Sequence, residues 1–205
     1  MKTSLLIVLL PLLVTACQPD GPEYAEDTDI IVTSYDEGYD FTEVQTFAMP
    51  DQIVVDVKID DGDTTYIYMA DLFATPILQT IQENMENFGY MQVGVGENPD
   101  LLLTPAAYTS TTYFYSYWYD WWYGGYWGWG WGWYYPPYYT VSSYTTGTMV
   151  MVLADPNQAS ENPINRSPTL WLSVANGLLS GDNDIGRVTE AINQAFIQSP
   201  YLKTN

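Results

Sequence analysis

Two stretches of this chain repeat their apolar residues at helical spacing. Ile77, Leu78, Ile81, Met85 and Phe88 recur every three or four residues, which places them along one side of a helix. Thr75 as N-cap, Pro76 in the first turn and Gly89 as the stop bound that helix at residues 75–88, with an earlier start kinked at Pro76 as the alternative. A second stripe, Ile185, Val188, Ile192, Ala195 and Phe196, predicts a helix over residues 184–198, ended by Pro200.

The rest of the patterned sequence reads as strands. Residues 30–35, 46–49, 51–60 and 64–69 are short β-rich or alternating runs, and Asp60-Asp61-Gly62-Asp63 between the last two predicts a hairpin turn. Residues 101–115 and 138–153 are longer β-rich runs that should pair across the segment between them, and 169–175 is a further strand. Many strands with two separated helices predict an α+β domain over residues 30–202. Its sheet is expected to be largely antiparallel, with both helices packed on one face and a long aromatic hairpin loop at one end.

The first thirty residues have a different texture. Lys2 precedes a mostly apolar run, 4–13, and Val14-Thr15-Ala16-Cys17 follows it. This is the layout of a processing signal (residues 1–16), too short for a permanent membrane span. It resembles a bacterial lipoprotein signal. That resemblance implies that Cys17 becomes the mature N-terminus and carries a thioether-linked diacylglycerol and an amide-linked acyl chain, a durable anchor of three chains. It also implies that Gln18, in place of aspartate, favours the outer membrane. Cys17 is the only cysteine, so a lipidated chain forms no disulfide and relies on its core. Residues 17–29 continue as an acidic tether without apolar periodicity.

Charge narrows the partners. The formal net charge is −20, and loss of Lys2 with the signal leaves four basic residues against 25 acidic ones. Nucleic acid is excluded, because binding a phosphate backbone requires cations that this chain lacks. The membrane is reached through the lipid, and an envelope protein or glycan is the remaining class of partner.

Residues 113–139 hold seven of the eight tryptophans, namely Trp118, Trp121, Trp122, Trp127, Trp129, Trp131 and Trp133, and one charge, Asp120. The last four alternate with glycine, so an extended backbone would align their rings on one side. Three readings fit: rings packed on the domain itself, a contact with the membrane interface or an envelope partner, and stacking on sugar faces. These tryptophans are the candidate contact surface.

Catalytic chemistry is sparse. There is no histidine, which removes Ser-His-Asp and Cys-His catalysis and histidine metal sites together. Gly94-Val95-Gly96 lacks the third glycine and the strand-to-helix setting of a dinucleotide loop and reads as a turn. Asp56, Asp60, Asp61 and Asp63 do not match a calcium loop and read as a solvated turn, so neither metal nor cofactor is expected. A non-enzymatic envelope role is the expectation. The alternative is a glycan-active hydrolase using paired Asp or Glu carboxylates, with Asp120 among the rings as a candidate acid.

Several short motifs occur in a telling order. Tyr39-Asp40-Phe41, Thr46-Phe47-Ala48, Gly89-Tyr90 after the first helix, Pro99-Asp100-Leu101 entering a strand, Gly147-Thr148, Leu170-Trp171 and a closing helix with Pro200 follow one another. In this order, behind a lipoprotein signal, the chain resembles the domain of unknown function 4136 family of bacterial lipoproteins over residues 30–202. The resemblance implies fold and localisation and transfers no catalytic residue.

Overall fold

The computed structural model of the chain describes residues 30–60, 63–108, 147–161, 169–176, 178 and 185–204. Eight strands are among them: β1 (Ile30–Tyr35), β2 (Thr46–Ala48), β3 (Val54–Asp60), β4 (Asp63–Tyr68), β5 (Met91–Gln92), β6 (Leu101–Tyr108), β7 (Thr148–Ala154) and β8 (Thr169–Asn176). Two α-helices accompany them, α1 (Asp71–Asn87) and α2 (Ile185–Ile197). The fold is α+β, with one mixed, mostly antiparallel open sheet.

The sheet runs β1-β8-β7-β6-β2-β5, and its first three pairings are antiparallel. β6 and β7 pair from Leu102 opposite Ala154 to Tyr108 opposite Thr148, so the two long runs do meet as expected. The aromatic loop between them, and the outer parts of both runs, lie outside the described residues. β3 and β4 form the hairpin that the Asp-Gly pair predicts, with Asp60 opposite Asp63.

Three pairings depart from an antiparallel pattern. β2 runs parallel to β5 and to β6, and β3 runs parallel to β6 at Val54 and Ala106. β2 meets β6 at Leu101 and Leu102, so Leu103, Thr104 and Pro105 fall between the stretches paired by β2 and by β3. This interval includes Pro105, whose missing N–H makes it a poor residue for a fully paired central strand.

Helix α1 begins at Asp71, four residues before the expected N-cap at Thr75, and takes Pro76 inside it. Ala70 stands at the N-cap with no side-chain hydrogen bond, so no capping residue marks the true start. The stop is where the sequence places it. Gly89 adopts φ +98, and a Cβ there would collide with the Thr204 side chain.

The expected stripes are buried in part. Ala74, Ile77, Ile81 and Met85 of α1 and Val188, Ala191, Ile192, Ala195 and Phe196 of α2 enter one core. Leu78, Phe88 and Ile185 pack at its margin. Alternate strand residues complete it, among them Leu101, Leu103, Met149, Met151, Leu153, Trp171 and Ala175, so both helices share this face of the sheet. Asn84 Nδ2 donates to Asn193 Oδ1 (2.7 Å) and links the helices at the surface.

Because Ile81 and Ile192 are fully enclosed, Ile81→Ala and Ile192→Ala should each cost about 2–5 kcal/mol. Gln82→Ala, half-buried but outside the core, should stay within about 0.5 kcal/mol of wild type. Chemical denaturation monitored by circular dichroism checks this, and indifference to both isoleucine changes would refute the shared core.

Candidate functional site

The parallel strands have no hairpin to set their register, and a carboxylate does it instead. Asp100, just before β6, accepts hydrogen bonds on Oδ2 from the backbone N–H groups of Gln45 (3.0 Å) and Thr46 (2.9 Å) and from Thr46 Oγ1 (2.7 Å). Its own N–H donates back to Thr46 Oγ1 (3.0 Å). Partial burial pushes the carboxyl up, but the hydrogen bonds from Thr46 and Gln45 outweigh it and hold Asp100 below the usual carboxylate range. A general acid needs the opposite shift, so Asp100 is a clamp.

A second set of polar contacts ties the chain's end to the core. Trp171 Nε1 donates to Ser199 Oγ (2.9 Å), and Ser199 Oγ lies 3.1 Å from the Tyr201 hydroxyl. Tyr201 stacks on Tyr35 of β1 with ring centroids 3.5 Å apart. The Tyr90 hydroxyl donates to the Leu202 carbonyl (2.8 Å), and the Thr204 N–H donates to the Phe88 carbonyl (3.0 Å). Burial, followed by the charge of Asp100, raises the Tyr90 phenol well above its ordinary value. Tyr39 donates to Asp155 Oδ2 (3.2 Å), and burial, then the charge of Asp155 and that hydrogen bond, raise its phenol likewise. Neither tyrosine is placed to serve as a base near neutral pH.

An open groove of about 580 Å³ lies beside β5. It is lined by Gln82 and Glu86 of α1, by Tyr90 to Gly94, and by Glu97 of a short 3₁₀ turn. Gly94 and Val95, read as part of a turn, do form it: the Gly94 N–H donates to Glu97 Oε2 (2.7 Å). Gln82 Nε2 donates to Glu86 Oε1 (2.8 Å), and the Tyr90 hydroxyl is turned to Leu202. The lining contains neither a cation nor a tryptophan. Such a recess accepts hydrogen bonds from hydroxyl or ammonium groups and offers no nucleophile activated by a base. Its sequence signal was slight, because which side chains turn outward here depends on β5 pairing with β2. Among the described residues no group of three or more Cys, Asp or Glu side chains could hold a metal ion.

The candidate residues named from the sequence, Cys17 and Trp118, Trp121, Trp122, Trp127, Trp129, Trp131 and Trp133, all lie outside the described residues, as does Asp120. No described helix is long and apolar enough to cross a membrane.

The model of a domain of unknown function, DUF4136, matches residues 31–201. The chain belongs to the DUF4136 family. A crystal structure of a DUF4136 protein from Bacteroides thetaiotaomicron is similar to it at 35% identity and a TM-score of 0.67, covering 86% of this chain and 98% of that one. Two more distant similarities are to a PelC dodecamer from Paraburkholderia phytofirmans (9% identity, TM-score 0.42, 86% of this chain and 98% of that one) and to a PDZ domain protein from Parabacteroides distasonis (15%, 0.40, 84% and 35%). No curated protein matches the chain. The DUF4136 motifs quoted above fall largely on structural joints: Asp100 and Thr46 form the clamp, Gly89 ends α1, and Trp171 holds Ser199.

Asp100→Ala should therefore lower stability near neutral pH by about 1.5–3 kcal/mol, the range for hydrogen bonds to a charged group. The folded carboxyl binds its proton less readily than the unfolded one. Its contribution is thus complete above the unfolded aspartate value of about 3.9 and is lost as pH falls through the lower folded value. Thermal melts between pH 2 and 7 should show wild type and Asp100→Ala converging at the acid end, and parallel curves would rule out the clamp's ionic character.

Proposed function

We propose that this DUF4136 chain is a lipid-anchored protein of the bacterial outer membrane, held through Cys17, with a non-enzymatic binding or structural role in the cell envelope. The observation that carries the reading is the single cysteine behind an apolar run, in Val14-Thr15-Ala16-Cys17, followed by an acidic tether. Acyl chains on Cys17 supply the membrane affinity, since two lipid signals already suffice for stable attachment. No positive patch is needed, and a net charge of −20 would resist one forming on an anionic surface.

The contact surface is assigned to the aromatic stretch 113–139 through Trp118, Trp121, Trp122, Trp127, Trp129, Trp131 and Trp133. Rings with apolar bodies and polar tips suit an envelope protein, a headgroup layer or a glycan. The binding reading draws support from the described chemistry: the best-held carboxylate, Asp100, is shifted in the direction that disfavours acid catalysis. A glycan-active hydrolase built on paired carboxylates is the competing reading, and release of reducing ends from purified peptidoglycan would establish it.

Growth with a clickable fatty acid should label the wild-type chain and leave Cys17→Ser unlabelled and in the soluble fraction. Equal labelling of both chains, or a wild type that fractionates as soluble, would remove the anchor.

A further inference from the structure

Strand β1 stands at one end of the sheet, and its outer side is an unguarded edge. Asp36 donates its N–H to the Leu170 carbonyl (2.9 Å), and β1 pairs with β8 in an unbroken register from Ile30 opposite Asn176 to Tyr35 opposite Trp171. Bonded pairs alternate along an antiparallel ladder, so Ile30, Val32 and Ser34 turn their backbone groups to β8, while Ile31, Thr33 and Tyr35 turn theirs outward. Among the described residues no strand receives them. Val32 lies opposite Val174 and shares its face, yet Val174 is buried while Val32 is 49% and Ile30 59% exposed in the single chain.

Sheet edges are ordinarily blunted by shortness, charge, proline or a bulge. Other edges among the described residues follow that rule: β5 has two residues, and the β3–β4 hairpin carries Asp56, Lys58, Asp60 and Asp63 and an irregular register. β1 has six residues, no charge, no proline and no register shift.

We infer that β1 is the interface for a second copy of this chain, paired antiparallel about a two-fold axis through Val32. Backbone geometry selects a second copy, because an antiparallel edge turned about such an axis sets its own donors against its own acceptors. Side chains place the axis. With Val32 opposite its equivalent, Ile31 of each copy exchanges hydrogen bonds with Thr33 of the other and Ile30 lies opposite Ser34, so β-branched residues meet and no charge enters. An axis through Thr33 would set Ile30 against the carboxylate of Asp36. The apolar face that runs from Leu172 and Val174 to Val32 then continues into the second copy instead of ending in water. The inference goes beyond the envelope role proposed above and does not rest on the anchor.

Disulfide mapping on cells producing the full chain tests it. Val32 residues opposed across the axis would stand about 4.5 Å apart at Cα, within reach of a disulfide. Oxidation with copper phenanthroline should therefore join Val32→Cys chains into a covalent dimer bridged at position 32, which peptide mass mapping identifies whether or not Cys17 is acylated. Ile30→Cys and Ser34→Cys should each stay monomeric, and the chain carrying both should cross-link. Adding Thr33→Pro to Val32→Cys should abolish the dimer and leave the circular dichroism of the fold unchanged, since the Thr33 N–H takes no part in the β1–β8 ladder. If that chain does not fold, Val32→Lys in the double-cysteine chain decides, because it sets two ammonium groups on the axis at an exposed position and should abolish the cross-link. A Val32→Cys chain that stays monomeric or bridges to another protein, Ser34→Cys joining as readily as Val32→Cys, or dimers that survive both disruptions would overturn the inference.

Discussion

Strand β7 is buried along its whole length, from Thr148 to Ala154, and this burial on both sides is the constraint on which the domain depends. Met149, Met151 and Leu153 face the helices, and Val150 and Val152 face away. β8 repeats the pattern, with only its two ends partly exposed. Each enclosed aliphatic side chain contributes about 1.5–3 kcal/mol relative to exposure, so neither face of these strands can be left wet. Most antiparallel sheets have one solvated face, and a sheet enclosed on both sides needs a cover on each. Helices α1 and α2 provide one.

The periphery is organised by polar joints instead. β2 and β5 are three and two residues long, too short to hold themselves by area, and they run parallel to their neighbours. Asp100 supplies the missing register by gathering two backbone N–H groups and a hydroxyl on one oxygen. The last residues fold back over α1 and β8, where Trp171 donates to Ser199, Tyr90 donates to the Leu202 carbonyl and the Phe88 carbonyl accepts from the Thr204 N–H. Lys203 sits over the Phe88 ring at 5.4 Å and closes that corner. In these joints the aspartate, the glycine and the tryptophan of the family motifs serve geometry.

For function, this division of labour matters more than any single residue. The described residues hold most of their buried polar groups in hydrogen bonds, Thr104 Oγ1 being an exception, and form an open acidic groove beside β5. Attachment and contact, on the reading proposed here, belong to the two stretches of most biased composition, the lipobox with its tether and the aromatic segment. In the chain the second of these connects β6 to β7.

Periodicity and punctuation determined much of this protein without a structure. The stripes Ile77-Ile81-Met85 and Val188-Ile192-Phe196 mark helix faces because a helix brings every third and fourth residue together whatever surrounds it. The Asp-Gly pair marks the β3–β4 hairpin, and Gly89 the end of α1, for equally local reasons. The start of α1 was legible only as the alternative of an earlier beginning, since Ala70 carries no cap and Pro76 is accommodated inside the helix. Nor were the parallel pairings, or the acidic groove that follows from β5 lying against β2. Which strands become neighbours beyond the pairs β3–β4 and β6–β7, and that β6 to β8 are enclosed on two sides, were decided only by the tertiary structure. A strand's alternation records that it has two faces, while the cover on each is a contact between residues far apart in the chain.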